Sequence, residues 1–422
     1  MAFLRSVPGA ACAFALVAGC SAALAQTPVG PEFQANTYTI GIQGTPALAS
    51  AGDGRMFVPF WRSSGQDGSS EGVYGQRYDS AGNRMGAEFR VNSYTTNAQH
   101  VPHASATRDG RFVVVWRSDG GQDGGGAGVF SQRYDSAGNP LGGEFRVNTT
   151  TSNDQYAGRV AWSLDGRMFV VVWVSVLQDG STQGVYGQRY DSAGNPLGGE
   201  FQVNAFTTGL QFEPAVATTQ DGRFVVTWSS DGQDGSTFGV FGRRYDSSGN
   251  ALGGEFQVNT YTTGSQRFPQ VASTPDGGSF LVVWSSDDGS SLGVFGRRYD
   301  SAGNPLGGEF QVNTYTTQYQ RVDSVAAAAG GRFVVAWRSN MQGTSVFDVF
   351  GRRYDSSGQP EGGEFQVNTY TTSSQTWPVV ASTEDGRFVV VWESFGSQDG
   401  NSVGTFGQRY AAPDPVFQDG FE

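Results

Sequence analysis

Residues 213–259, EPAVATTQDGRFVVTWSSDGQDGSTFGVFGRRYDSSGNALGGEFQVN, read as four short strands joined by tight turns. The first strand is 213–218 (EPAVAT), and the turn Asp221-Gly222 leads into the second, 223–228 (RFVVTW). Asp-Gly between apolar runs favours a tight hairpin, because both residues tolerate positive φ. A loop containing Gln233-Asp234-Gly235 carries the chain to a third strand at 239–246 (GVFGRRYD), and Ser247-Ser248-Gly249-Asn250 turns it into a fourth at 255–259 (EFQVN). The second strand is apolar on both pleats, as again in FVVVW at 112–116, which marks a strand buried on both faces. The fourth alternates, Phe256 and Val258 against Glu255, Gln257 and Asn259, so one face packs and the other meets water.

The unit recurs along the whole chain. Tryptophans at 61, 116, 173, 228, 284, 337 and 392 keep a period of 53 to 57 residues, and Gln43, Gln99, Gln155, Gln211, Gln266, Gln320 and Gln375 keep a second register upstream. A regular period of this length means one supersecondary unit per copy. A lone four-stranded sheet cannot bury two apolar faces, so the copies must stack. The ends decide how. Residues 32–36 (EFQAN) form a fourth strand with no copy before it, and 404–410 (GTFGQRY) a third strand with none after it. Seven complete units exist only if the amino-terminal strand completes the last sheet. The expected fold is all-β: a seven-bladed β-propeller with four antiparallel strands per blade, spanning 26–410.

This offset resembles the velcro closure of WD40-type propellers, and the Asp-Gly-Arg hairpin resembles that of TolB-type repeats, as in secreted bacterial propellers. The period exceeds the roughly 40 to 45 residues of a WD40 repeat, and its closing Trp-Asp dipeptide is absent. The Arg-Tyr-Asp-Ser-Ala-Gly-Asn segments also resemble the YD repeats of bacterial shell proteins, at a much longer period. The tail at 411–422 (AAPDPVFQDGFE) looks like the short endings of some other secreted bacterial proteins.

All 27 basic residues are Arg, and 39 acidic residues leave a formal charge of -12, a poor balance for nucleic acid, which calls for a basic stripe. Residues 1–25 read as a signal peptide: Arg5, an apolar stretch over 10–19, then Ala23-Leu24-Ala25 as a small-residue cleavage site. Val17-Ala18-Gly19-Cys20 offers a competing lipobox, so a membrane link is expected only through a lipid on Cys20. A secreted, periplasmic or outer-membrane-associated protein is expected. Cys12 and Cys20 are the only cysteines, which leaves no disulfide, zinc-thiolate site or cysteine nucleophile in the mature chain.

In a ring of similar units, a residue present in every copy is architecture, and a site used once stands where one copy departs. Arg77, Arg133, Arg189, Arg244, Arg298, Arg353 and Arg409 share one position and read as structural partners of nearby Asp and Glu. The Gln-Asp-Gly acids Asp67, Asp123, Asp179, Asp234 and Asp399 read as turn formers, because no copy has the D-x-D-x-D-G ladder of a calcium loop and copy six has no such loop acid. No metal or other cofactor is expected. His100 and His103, the only histidines, share one strand without a G-x-S-x-G elbow. Glu213, Asp323 and Glu393 depart from the repeat, but no spacing brings them together as a glycosidase pair.

The most informative variation follows the repeated Gln: Gly44, His100, Tyr156, Phe212, Arg267, Arg321 and Thr376, with Glu213, Phe268 and Trp377 one residue later and His103, Arg159 and Gln270 beyond. With the first strand innermost, these residues surround one mouth of the central channel. The expected ligand-binding set is His100, His103, Tyr156, Arg159, Phe212, Arg267, Arg321 and Trp377, and the expected ligand a protein or glycan. The expected role is a non-catalytic binding module; a carbohydrate-active enzyme and a purely structural repeat protein are the alternatives.

Overall fold

The computed structural model describes residues 26–412 except Asp288 and Ser290, so the signal segment and most of the tail lie outside the described residues. Seven sheets form, one per ruler Trp, and blades 1 to 7 are numbered here from Trp61 to Trp392. Blade 4 runs Gln211–Thr218, Phe224–Asp231, Phe238–Tyr245 and Phe256–Gln257, each strand antiparallel to the next. Neighbouring inner strands pack against one another in sequence, and blade 7 returns to blade 1. Phe33–Gln34 is the outermost strand of blade 7, with Phe33 opposite Gly407 and Gln34 opposite Phe406.

Two local expectations change. The outer strand is two residues long rather than five, because a side chain takes over the ladder: Val258 N donates to Val240 O at 2.8 Å, but Val240 N donates to the Asn259 side chain, also at 2.8 Å. Inner strands begin at the Gln, and in blade 4 the register then slips between Phe212 and Ala215. This bulge puts non-glycine residues in the left-handed region, including Thr45 (φ 46°), Val101 (51°), Glu213 (55°), Phe268 (58°) and Trp377 (54°). In blade 1 the third strand splits into Glu71–Gly75 and Tyr78–Asp79, because Pro59 accepts from Gln76 N and has no N–H to return.

The core lies between blades. Along the second strand of blade 2, Phe112, Val114 and Trp116 join a cluster with blade 1, whereas Val113 and Val115 join one with blade 3. Every neighbouring pair, blades 7 and 1 included, shares such a cluster. All seven ruler tryptophans are at most 1 % exposed. Alternation on a strand buried on both faces therefore feeds two different cores, and no blade has a core of its own.

Polar contacts repeat with the same offset. The third-strand arginines reach carbonyls of the next blade's turn, not the nearby acids: Arg77 to Ser136 O (3.1 Å), Arg133 to Ser192 O (2.8 Å) and, across the seam, Arg409 to Ser80 O (3.1 Å). Arg353 differs: it reaches the Gln26 side chain at 3.0 Å and Ala411 O at 3.5 Å, and among the described residues it alone of the seven meets an acid within 4 Å, Glu361 at 3.5 Å. Glu200 accepts from Thr149 N of the preceding blade, and Glu32 makes the same clasp across the seam to Thr369 N, both at 2.8 Å. The Gln-Asp-Gly acids are used up locally: Asp123 takes Gly125 N at 2.9 Å and the Asn148 amide at 3.3 Å. Blade 6 lacks the loop acid but supplies Asp348 from its third strand to the equivalent Asn368, at 2.7 Å.

Candidate functional site

The repeated Gln is buried in every blade, and in blade 3 it shows why: Gln155 accepts from the Asn148 amide and donates to Ser152 O. The next residue pairs across the ladder with the residue after the ruler Trp: Gly44 with Arg62, His100 with Arg117, Tyr156 with Val174, Phe212 with Ser229, Arg267 with Ser285, Arg321 with Arg338 and Thr376 with Glu393. The second half of each pair also varies among the blades, between Arg, Val, Ser and Glu, a signal next to the ruler Trp that sequence reading missed.

The pairs link into two sectors. In the first, Arg62 meets Glu71 at 2.6 Å, and His100 lies between Glu71 (3.4 Å) and Asp119 (3.2 Å). Arg117 then joins Asp119 at 2.6 Å and lies 5.6 Å from the Tyr156 ring. Burial pushes the His100 imidazole below its usual value, opposed by Asp119 and Glu71.

In the second, Glu213 holds Ser229 Oγ (2.8 Å), an Arg267 guanidinium N–H (2.8 Å) and Phe268 N (3.0 Å). Arg267 lies 4.8 Å from the Phe212 ring, 4.9 Å from Phe238 and 4.7 Å from Phe268. Arg321 sits 3.6 Å from the Phe268 centroid and 4.9 Å from Trp377, and Arg338 sits 4.3 Å from Trp377. Trp377 stays 39 % exposed.

Asp323 stands where five of the blades have proline, and in blade 6 Val322 stays paired with Trp337, so the bulge narrows to Asp323. Its carboxylate lies 3.7 Å from the Nε of both Arg321 and Arg338, with its side chain 5 % exposed. Burial raises its pKa, opposed by Arg338 and then Arg321.

His103 and Arg159 sit elsewhere than the rim. They lie past the bulge, inside the ring: Val160 N of blade 3 donates to His103 Nδ1 at 3.2 Å, and enclosure lowers the imidazole to about 3. Enclosure likewise brings Arg159 down to about 10, opposed by Glu213 and helped by Arg321. Glu393 is walled in. It accepts Thr45 N at 2.9 Å, is 3 % exposed, and fills the space a side chain at 44 would need, so Gly44 is its partner and not drift. Among the described residues no group of three His, Cys, Asp or Glu could hold a metal ion, and no helix is long and apolar enough to cross a membrane.

The chain matches no protein-family model and no curated protein. Solved structures resemble it in fold at low identity. A protein of unknown function from Dyadobacter fermentans aligns over 91 % of this chain and 99 % of its own, at 10 % identity and TM-score 0.53. The polysaccharide lyase Uly1 aligns over 90 % and 92 %, at 10 % identity and TM-score 0.51. The β-propeller domain of the Trilobed protease from Pyrococcus furiosus, described as having an open velcro topology, aligns over 92 % and 100 %, at 10 % identity and TM-score 0.50. At such identity these likenesses establish a shared propeller fold and nothing of activity.

Proposed function

We propose that this chain is a non-catalytic binding module, acting outside the cytoplasm, that recognises a protein or glycan through the mouth bearing Arg321 and Trp377. The observation that carries this reading is the make-up of the cross-strand pairs at this mouth. At the opposite end five of the seven hairpins close an Arg on the Asp two residues before it, and the position preceding that Asp also changes (Gly52, Arg108, Leu164, Gln220, Pro275, Ala329, Glu384), but it carries no aromatic ring in any blade. At the mouth all seven cross-strand pairs differ, and they mix aromatic rings with guanidinium groups, the side chains that anchor recognition surfaces. Of the three acids that depart from the repeat, Glu213 is held by three donors, Glu393 by its walls and Asp323 lies between two arginines, so none of the three is a freely presented carboxylate. The extracytoplasmic placement rests on residues 1–25.

The test is a glycan-array and pull-down screen of residues 26–422, repeated with Phe212→Ala/Trp377→Ala. Binding that disappears in the double variant, with a melting temperature close to the parent's, supports the mouth. Binding that survives it, or turnover of the bound glycan, refutes this reading.

A further inference from the structure

We infer that the blade 5 to 7 sector of the mouth takes an acidic sugar, a pyranose ring bearing a carboxylate as in a uronic acid; this rests on the mouth being the binding face. Arg321 and Arg338 stand directly opposite each other on neighbouring strands, an arrangement that like charges disfavour. One carboxylate, Asp323, lies between them, 3.7 Å from each and short of hydrogen-bonding reach. Arg267 does not enter this balance, because Glu213 holds it at 2.8 Å. Two guanidinium groups against one carboxylate leave a surplus positive charge in a chain of net charge -12.

The surplus is also oriented. Stacking against Phe268 and Trp377 fixes the Arg321 plane, so its edge presents N–H groups as a fork, the geometry that a carboxylate matches. Arg321 Nε, Arg338 Nε and the enclosed Asp323 carboxylate turn to one another, which leaves the terminal guanidinium nitrogens for a ligand. A carboxylate answers them. The exposed part of Trp377 offers a flat apolar surface for a pyranose ring.

The experiment is calorimetric titration of the mature chain with hexamers of galacturonate, of mannuronate and of guluronate, and with hyaluronan oligosaccharides. Carboxyl-reduced galacturonate and poly-L-glutamate serve as controls. At least one uronate ligand should bind, with the reduced or peptide control at least about tenfold weaker. Arg321→Lys, which keeps the charge but loses the fork and the stack, should weaken binding by about tenfold while leaving the circular dichroism spectrum unchanged. Asp323→Asn, which keeps an oxygen acceptor, should retain binding better than Asp323→Leu. No binding by any uronate at 1 mM, or equal binding of the reduced sugar, overturns the inference. If a neutral glycan binds and Trp377→Ala abolishes it, the mouth stands and only the acidic-sugar assignment falls. Equal binding of poly-L-glutamate assigns the site to an acidic peptide instead.

Discussion

Replacing Phe33 by Ala should cost as much as replacing Phe201 by Ala, although one residue lies near the beginning of the described chain and the other in the middle of a blade. Both belong to two-residue outer strands and are half-buried. Phe33 lies 5.1 Å from the Tyr78 ring and 5.9 Å from Phe57; Phe201 lies 5.5 Å from Tyr245 and 6.3 Å from Phe224. Each faces a third-strand glycine with no room for a side chain: a Cβ at Gly407 would stand 2.5 Å from the Phe33 ring, and one at Gly187 2.7 Å from Phe201. Truncating a fully buried Phe costs about 3 to 5 kcal/mol, so a half-buried one should cost about 2 kcal/mol. In a chain of this size that is a fall of roughly 3 °C in melting temperature, readable by near-ultraviolet circular dichroism. Comparing identical substitutions within one chain removes most uncertainty in the absolute value. Were Phe33→Ala silent while Phe201→Ala destabilised, the ring closure would be wrong and the chain an open array. Starting the chain at Gly41 also removes Glu32 and its contacts to Thr369 and Gln398, so a larger fall with aggregation is expected.

Other outcomes follow from the same structure. EGTA should leave the melting temperature unchanged, because the loop acids are engaged by Asn side chains and backbone N–H groups; a fall of several degrees would reveal a bound ion. Asp123→Ala should cost about 1 to 2 kcal/mol through the lost acceptor, and urea denaturation would show it; no loss would mean that water replaces it freely. His103 titrates near 3 when folded against 6.5 when unfolded, so the unfolded chain gains a proton first and stability is lost as pH falls from about 6.5 towards 3. His103→Asn, which can still accept from Val160 N, should flatten melting temperature against pH between 7 and 4; an unchanged slope would contradict the enclosure. Glu393 has the opposite sign. Its folded pKa is raised above 4.5, so its contribution is greatest in acid and is lost as pH rises through the folded value. Glu393→Gln should therefore gain on the parent between pH 4 and 7, and a constant difference would count against it.

The ring was legible because its physics is local and repeated: a Trp in register, Asp-Gly turns, and ends that fit only each other. What sequence could not give were substitutions of one group for another. Asn259 stands in for the backbone of the outer strand, so a five-residue pattern yields two residues of ladder. Asp348 stands in for a loop acid from another strand, visible only once both strands are placed. The bulge after each Gln breaks alternation, which is why His103 and Arg159 turn into the channel while His100 and Tyr156 stay on the rim. Arg338 and Glu393 were within reach of sequence reading, since the position after each ruler Trp also varies, over four residue types against six after each Gln.

The cross-strand pairs at the mouth bear on how such a molecule changes over time. One backbone position carries Gly44, His100, Tyr156, Phe212, Arg267, Arg321 and Thr376, yet the ladder beside it keeps the same pairing in every blade. The cores between blades begin beyond the bulge and do not include these seven. Selection can therefore rewrite much of the mouth without repacking the cores between blades, although a closely packed pair such as Gly44 and Glu393 must change together, much as antibody loops diversify over a constant sandwich. Copies of nearly identical blades then become an asset: duplication supplies the frame, and specificity is written afterwards at fourteen positions.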